Sequence, residues 1–247
     1  MKRNKALLVY LIGTFSQLLS VCLVVFSLNY YGFHSNLVNS FGMMIGGIST
    51  SLWGSIVAVR YYQINLKKIV KDFFNIHTSY KHYLLAFLLV ILDFSFLLFG
   101  GKIKQFIWFF PFLMFLKFVL YGGLEEIGWR YVFQPILQEK LQYFQATILT
   151  FFIWSIWHLF FFYIDGSLVG LQIVPFLFGL LTNSFMLSSL YLKTENLWIC
   201  VMTHSIINVL SQLTISDDRS ESYLIRIIVI FASCYLAKSS KVKHKTD

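Results

Sequence analysis

Two adjacent carboxylates in a very apolar sequence are the residues best suited to chemistry. Glu125 and Glu126 lie in YGGLEEIGWRYVFQ, directly after a hydrophobic run, and Arg130 follows Glu126 by four residues. On a helix, adjacent residues point about 100° apart, whereas residues i and i+4 are neighbours. Glu126 is therefore predicted to pair with Arg130, while Glu125 needs no such counter-ion. A carboxylate in a low-dielectric site makes a better general base near neutral pH, so we assign the reactive role to Glu125. The alternative is an ordinary charged helix end.

Two histidines inside hydrophobic runs are the other candidates. His158 follows Trp154 by four residues in FFIWSIWHLFFFYI, and His204 precedes Asn208 by four residues in LWICVMTHSIINVL. Each pair is predicted to share one face of a helix. Taken alone, either histidine is as well explained by a hydrogen bond between helices. Together with Glu125, they suggest a site assembled from three separate helices.

The composition predicts that these helices cross a membrane. The 247 residues are 57% hydrophobic and 13% charged, with a mean hydropathy of +0.70, whereas soluble domains carry roughly 25% charged residues. At roughly 20 apolar residues per span, we expect an all-α, polytopic membrane helix bundle with about eight transmembrane helices, formed by residues 1–247 as a single integral membrane domain. The expected spans are Ala6–Leu28, Ser40–Val59, Tyr83–Gly101, Ile107 into the Glu125 region, Ala146–Ile164, Gly170–Leu192, Leu197–Ile215 and Tyr223–Leu236.

The basic residues are distributed unevenly along the chain. With a cytoplasmic N-terminus, 15 of the 20 Lys and Arg residues fall on the cytoplasmic side, four fall outside and Lys117 lies in a span. By the positive-inside rule, both termini are predicted to be cytoplasmic. The segment Lys67–Lys81 and the tail lysines (Lys238, Lys241, Lys243 and Lys245) suit contact with anionic lipid, and no nucleic-acid partner is expected.

The motifs, taken in order, resemble those of the CAAX prenyl protease and bacteriocin-processing intramembrane peptidase family. They are Glu125-Glu126-Ile127-Gly128-Trp129-Arg130, Trp154 to His158, and His204 to Asn208. The resemblance covers roughly Phe112 to Ser211, which is expected to be the catalytic core (112–211).

The resemblance implies an intramembrane endopeptidase that cleaves a membrane-associated peptide or protein. In that family pattern Glu125 and His158 activate a water molecule, and His204 and Asn208 stabilise the oxyanion. Glu126 and Arg130 support the site, and the catalytic cavity opens to the cytoplasm. Relatives of this kind suggest a role in the maturation of a peptide pheromone or bacteriocin, or in self-immunity, at the bacterial cell membrane.

Three positions depart from the family pattern. Tyr131 stands where many members have Gly, and Trp154 stands where Phe is usual. Thr194-Glu195-Asn196 stands where many members have Thr-Gly-Ser or Thr-Gly-Asn. None of these changes removes a proposed catalytic group, so we expect them to affect substrate fit more than chemistry.

Other interpretations of the same residues stay open. Two histidines and a glutamate suit catalytic zinc, so Glu125, His158 and His204 would be the ligands of a metallopeptidase. The absence of HExxH, and the presence of Asn208 as an oxyanion donor, favour a glutamic-type mechanism without a cofactor. The non-enzymatic alternatives are a membrane scaffold or bacteriocin-immunity protein and, less favoured, a transporter, for which repeated halves would be expected.

A separate prediction concerns charges inside the spans. Asp93 and Lys117 fall at similar depths in consecutive predicted spans. Because charged groups inside a membrane normally pair, we expect a buried ion pair between them.

Overall fold

The chain is mostly helical over the part that the structure, a computed structural model, describes, which is residues 2–33, 35–215 and 220–240. Within these residues the only β geometry is an isolated bridge between Ile103 and Thr214. The all-α prediction is therefore confirmed. The helices are α1 (Lys2–Tyr30), α2 (Asn36–Gly47), α3 (Ser49–Tyr62), α4 (Leu66–Phe73), α5 (Tyr80–Asp93), α6 (Phe110–Phe118), α7 (Glu125–Gly128), α8 (Gln134–Gln138), α9 (Tyr143–Asp165), α10 (Ile173–Thr194), α11 (Leu197–Leu213) and α12 (Ser220–Ser239).

Several of these helices are long and apolar enough to cross a membrane, so this is a multi-pass membrane protein. Among the described residues there are six such stretches: Arg3–Tyr30, Asn36–Tyr62, Tyr80–Phe99, Tyr143–Asp165, Ile173–Thr194 and Ser220–Ser239. The predicted number of eight spans is not confirmed. The seventh predicted span is the shorter apolar helix α11, and the fourth is interrupted. Arg219 and the lysines at 241, 243 and 245, which entered the charge count, lie outside the described residues.

In the fourth predicted span, π-helical turns interrupt the regular α-helix. Pro111 lies in the first turn of α6 and Pro135 in the first turn of α8, where a missing backbone N–H is tolerated. Between them, Val119–Gly123 and Trp129–Phe133 are π-helical turns on either side of the short helix α7. Such turns are rare and occur frequently at functional sites.

The chain divides into two compact units. The first contains Met1–Val70 and Leu124–Leu177, and the second contains Lys71–Gly123 and Phe178–Asp247. The first unit therefore holds α1 to α3 and α7 to α9. The second holds α5, α6, α11, α12 and most of α10.

In the first unit, α3 and α7 pack at backbone contact. A methyl group on Gly54 of α3 would lie 2.9 Å from the Cα atom of Gly128. A methyl group on Gly128 would lie 2.5 Å from the Tyr10 hydroxyl and 2.6 Å from the carbonyl oxygen of Thr50. Small residues allow this close approach of helices, as is common in membrane proteins. The position of α7 is thus set directly by α1 and α3.

In the second unit, the predicted ion pair between Asp93 and Lys117 is wrong. Asp93 is buried, and the cation whose charge acts on its carboxylate is Arg226 of α12. The Lys117 ammonium instead lies 5.8 Å from the ring centre of Phe118 and 5.9 Å from that of Tyr121. Arg226 lies inside α12, within the predicted span Tyr223–Leu236, but it was not considered from the sequence as a partner for Asp93.

The turn that begins α11 also belongs to the second unit. Glu195 has a φ of 49°, in the left-handed region that favours glycine. Asn196 is the N-cap, because its side chain accepts a hydrogen bond from the backbone N–H of Ile199 at 3.1 Å. This pair of residues ends α10 and starts the helix that carries His204 and Asn208.

Candidate active site

Glu125 is held by Trp154 in the first unit. The indole Nε1 of Trp154 donates a hydrogen bond to Oε2 of Glu125 at 2.8 Å, and both residues are buried. Trp154 lies in α9, so this bond ties the short helix α7 to a membrane-spanning helix. A buried carboxylate needs such donors, because leaving it unsatisfied is costly. The sequence had suggested only that Glu125 lacks a local counter-ion; it did not identify this donor.

His158 is held by the same tryptophan. Its Nδ1 lies 2.9 Å from the backbone carbonyl oxygen of Trp154, and the two rings lie 5.2 Å apart. Because a carbonyl oxygen only accepts hydrogen bonds, Nδ1 carries the hydrogen in this contact. In the neutral imidazole, Nε2 is then the nitrogen that accepts a hydrogen bond or binds a metal. Trp154 thus contacts both residues that the sequence assigns to water activation.

Glu126 and Arg130 form the predicted pair, which is confirmed. Arg130 Nη1 donates to Glu126 Oε1 at 3.4 Å, and Nε lies 3.4 Å from Oε2. Both side chains are fully buried. The guanidinium also lies over the Trp154 ring, 4.3 Å from its centre, where the face of an indole attracts a cation. The pair is therefore part of the interior of this unit rather than a charged helix end.

A second contact ties the same segment to α9. Gln134 donates from Nε2 to the Thr147 hydroxyl at 3.0 Å, and its Oε1 accepts from the Thr150 hydroxyl at 2.6 Å. All three side chains are buried. With both polar ends of its amide bonded, Gln134 fixes the position of the chain beyond Arg130.

His204 and Asn208 are described within the second unit. His204 is buried in α11, and Asn208 is half-buried one turn later. Both reach Gly122: a methyl group there would lie 3.2 Å from His204 Nε2 and would overlap Nδ2 of Asn208. The two side chains thus approach one backbone position, in agreement with the i, i+4 spacing.

Sequence reasoning missed three contributors. The donor role of Trp154 was missed because this position was read only as a bulky aromatic of the motif. Tyr10 was missed because α1 lies outside the motif region. Gly122 had a usable signal, since consecutive glycines directly before a functional segment indicate close approach of other groups.

Catalytic zinc would require several donor side chains that lie close together. Over the described residues, neither unit contains three or more His, Cys, Asp or Glu side chains grouped so that they could hold a metal ion. In the first unit Glu125 and His158 are two donors of the chemical types that zinc prefers. Zinc ligation by Glu125, His158 and His204 stays a prediction for metal analysis of the purified protein.

Comparison with known families supports the resemblance noted from the motifs. Residues 106–210 match the family described as Rce1-like: Type II CAAX prenyl endopeptidase Rce1-like. The match includes every residue proposed for the site, from Glu125 to Asn208, so this part of the chain is similar to that family. No curated protein matches the chain.

Proposed function

We propose that this chain, with its similarity to the Rce1-like family, is an intramembrane endopeptidase that hydrolyses a peptide bond in a membrane-associated peptide or protein. The family match supports a protease, and the six apolar stretches support its location in a membrane. The observation that carries the proposal is the buried hydrogen bond from Trp154 to Glu125 at 2.8 Å, with His158 on the same tryptophan. Buried acid–base groups held in a fixed arrangement are typical of catalytic sites.

In the proposed mechanism, Glu125 acts as the general base. Its carboxylate takes a proton from a water molecule while the water oxygen attacks the carbonyl carbon of the scissile bond. His158 accepts the second hydrogen of this water at Nε2 and orients it. When the C–N bond breaks, the proton held by Glu125 passes to the leaving nitrogen.

His204 and Asn208 are proposed to stabilise the oxyanion of the tetrahedral intermediate. An imidazole N–H and a carboxamide N–H are hydrogen-bond donors suited to this charge, and one such donor lowers a barrier by about 2.7–4 kcal/mol in known enzymes. Their approach to one glycine, Gly122, supports a shared role. Glu126 and Arg130 are proposed as supporting residues, because their charges satisfy each other.

We further propose cytoplasmic N- and C-termini, with the catalytic cavity open to the cytoplasm and anionic lipid bound at basic segments. The helix α4 supports the lipid contact. Leu66 and Val70 are 58% and 52% exposed and lie on one side of the helix, next to the exposed Lys67 and Lys71. An apolar strip beside lysines suits the boundary between acyl chains and phosphates.

The peptidase proposal is tested by comparing peptides in cells that carry the wild-type protein or Glu125→Gln. Mass spectrometry of membrane and secreted peptides should show a precursor that accumulates, and a product that is lost, in the variant and in His158→Ala. Glu221→Gln, at an exposed carboxylate in α12, is the matched control and should leave the peptides unchanged. Substrates from peptide maturation or self-immunity are the first candidates.

A membrane scaffold or immunity protein is the competing function. It would keep its biological effect in folded Glu125→Gln and His158→Ala variants, with no peptide altered. That result would overturn the peptidase proposal. Metal analysis of the same purified protein, together with activity after treatment with a chelator, separates a zinc-dependent peptidase from a glutamic one.

A further inference from the structure

The interior of the first unit contains a group of fully buried polar atoms without hydrogen-bond partners among the described protein atoms. They belong to α1, α3 and the segment that follows α7. The atoms are the Tyr10 hydroxyl, the Thr14 hydroxyl, the Thr50 hydroxyl, the indole Nε1 of Trp129 and Nη2 of Arg130. In the interior of a membrane protein, polar groups must be satisfied internally, and each exception needs a physical explanation.

Tyr10 links the residues that carry these atoms. The Tyr10 ring packs edge-on against Trp129, with 5.8 Å between ring centres. The Tyr10 hydroxyl and the Thr50 carbonyl both lie against Gly128. Thr14 follows Tyr10 by one helical turn, and its hydroxyl lies near that of Tyr10, but neither meets the geometry of a hydrogen bond.

The group adjoins the charged residues of the proposed active site. Tyr10 packs against Trp129, which directly precedes Arg130, and against Gly128, two residues after Glu126. The Trp129 ring lies 6.2 Å from that of Trp154, the residue that donates to Glu125. The polar atoms of α1 and α3 therefore extend the site beyond the segment that matches the family.

Water is the ligand that fits these atoms. The group offers donors (indole N–H and guanidinium N–H) and hydroxyls that both donate and accept, which is the mixture that a buried water molecule needs. Within the described part of the chain, no other side chain forms a hydrogen bond with these atoms. Buried waters typically make about three hydrogen bonds to such otherwise unsatisfied groups.

We propose that Tyr10, Thr14, Thr50, Trp129 and Arg130 form a buried site for ordered water beside Glu125 and Glu126. The Tyr10 hydroxyl is its centre, because it lies between α1, α3 and the turn of Gly128. The site holds water next to the carboxylates inside the protein. It does not require that the chain be a peptidase, although a hydrolase would use water stored at this place.

Hydroxyl-radical footprinting by millisecond X-ray exposure tests the proposal on the full-length protein in lipid nanodiscs. Radicals made from ordered water oxidise the side chains that contact this water, even when those side chains are inaccessible to bulk solvent. Tyr10 and Trp129, both fully buried, should be oxidised rapidly. Trp157 is the internal control: it is 1% exposed, and its Nε1 already donates to the Ser49 hydroxyl at 3.0 Å.

Trp129 should be oxidised several-fold faster than Trp157, and Tyr10→Phe should remove most of this difference. Tyr62→Phe, at the end of α3, is the matched control and should leave the difference between the oxidation rates of Trp129 and Trp157 unchanged. If Tyr10→Phe does not fold, Thr14→Val provides the same comparison without changing an aromatic ring. Equal, slow oxidation of Trp129 and Trp157 in the wild-type protein would overturn the water site. Because no substrate is used, this result is independent of the peptide comparison that tests the proposed function.

Discussion

The indole Nε1 of Trp154 donates a 2.8 Å hydrogen bond to Oε2 of Glu125, and the backbone carbonyl of the same residue receives the Nδ1 hydrogen of His158. One tryptophan thus positions both residues proposed for water activation. A phenylalanine, which is usual at this position in the family, would keep the backbone contact and lose the bond to the carboxylate. The chain-specific part of the arrangement is therefore the indole N–H.

Trp154→Phe should lower activity with little effect on folding. A hydrogen bond to a charged group contributes about 1.5–3 kcal/mol, so the rate should fall by roughly 10- to 100-fold. The assay uses the peptide found in the cell comparison.

Trp157→Phe is the control for this change, because it also removes an indole hydrogen bond in α9, to Ser49 at 3.0 Å. This variant should hydrolyse the peptide at a rate close to that of the wild-type protein. If the two variants behaved alike, Trp154 would have only a packing role.

Gly122→Ala should disturb His204 and Asn208. The added methyl group would overlap Nδ2 of Asn208 and lie 3.2 Å from Nε2 of His204, so we expect a loss of roughly 1–3 kcal/mol in unfolding free energy. In an Asn208→Ala background the overlap is gone, and the cost should shrink, as a double-mutant cycle measures. Thermal unfolding in detergent provides the measurement.

Gly179→Ala is the matched glycine substitution. Its methyl group would lie 3.4 Å from the nearest guanidinium atom of Arg226, an ordinary contact, and alanine is favoured over glycine in a helix by up to about 1 kcal/mol. This variant should unfold at the same temperature or slightly higher. Equal losses in both variants would contradict the specific overlap at Gly122.

Arg130→Met should strongly destabilise the protein. It removes one partner of a fully buried ion pair and leaves the Glu126 charge in the interior, a change that costs about 3–5 kcal/mol. Arg3→Met removes the ion pair with Glu139, in which both side chains are partly exposed, and should cost about 0–1 kcal/mol. Unfolding temperatures of the two variants in the same detergent test the contrast, and similar values would argue against a buried pair.

The double substitution Lys67→Gln, Lys71→Gln should weaken the binding of anionic lipid. Each lysine near an anionic surface contributes about 1 kcal/mol. The readout is the amount of phosphatidylglycerol that stays bound to the purified protein in native mass spectrometry. Lys68→Gln is the control, because Lys68 lies on the opposite side of α4 from Leu66 and Val70. Unchanged lipid retention in the double variant would exclude α4 as the lipid contact.

The parts of the site that follow from local spacing could be predicted from the sequence. Glu126 pairs with Arg130 because residues four apart on a helix are neighbours. His204 and Asn208 approach Gly122 together for the same reason. The turn before α11 was seen only as a departure from the family pattern. In the structure, Glu195 adopts the φ of 49° at the position where many members have glycine.

The parts that depend on contacts between distant residues could not be predicted. Tyr10 reaches Gly128 across more than a hundred residues of sequence, and no motif includes it. Asp93 was paired with Lys117 because their predicted spans are consecutive, whereas Arg226 lies more than a hundred residues away in sequence, in α12. The π-helical turns have no periodicity signal of their own, so the fourth span was expected to continue unbroken.

The π-helical turn Trp129–Phe133 changes the angle between the directions in which Glu125 and Gln134 point. Glu125 and Gln134 both bond to α9, through Trp154 and through Thr147 and Thr150. In a regular α-helix, residues nine positions apart point about 180° away from each other. A π-helical turn takes one additional residue, which reduces this offset to about 80°. If the same residues formed a regular α-helix, the offset would return to about 180°, and one of the two side chains would point away from α9.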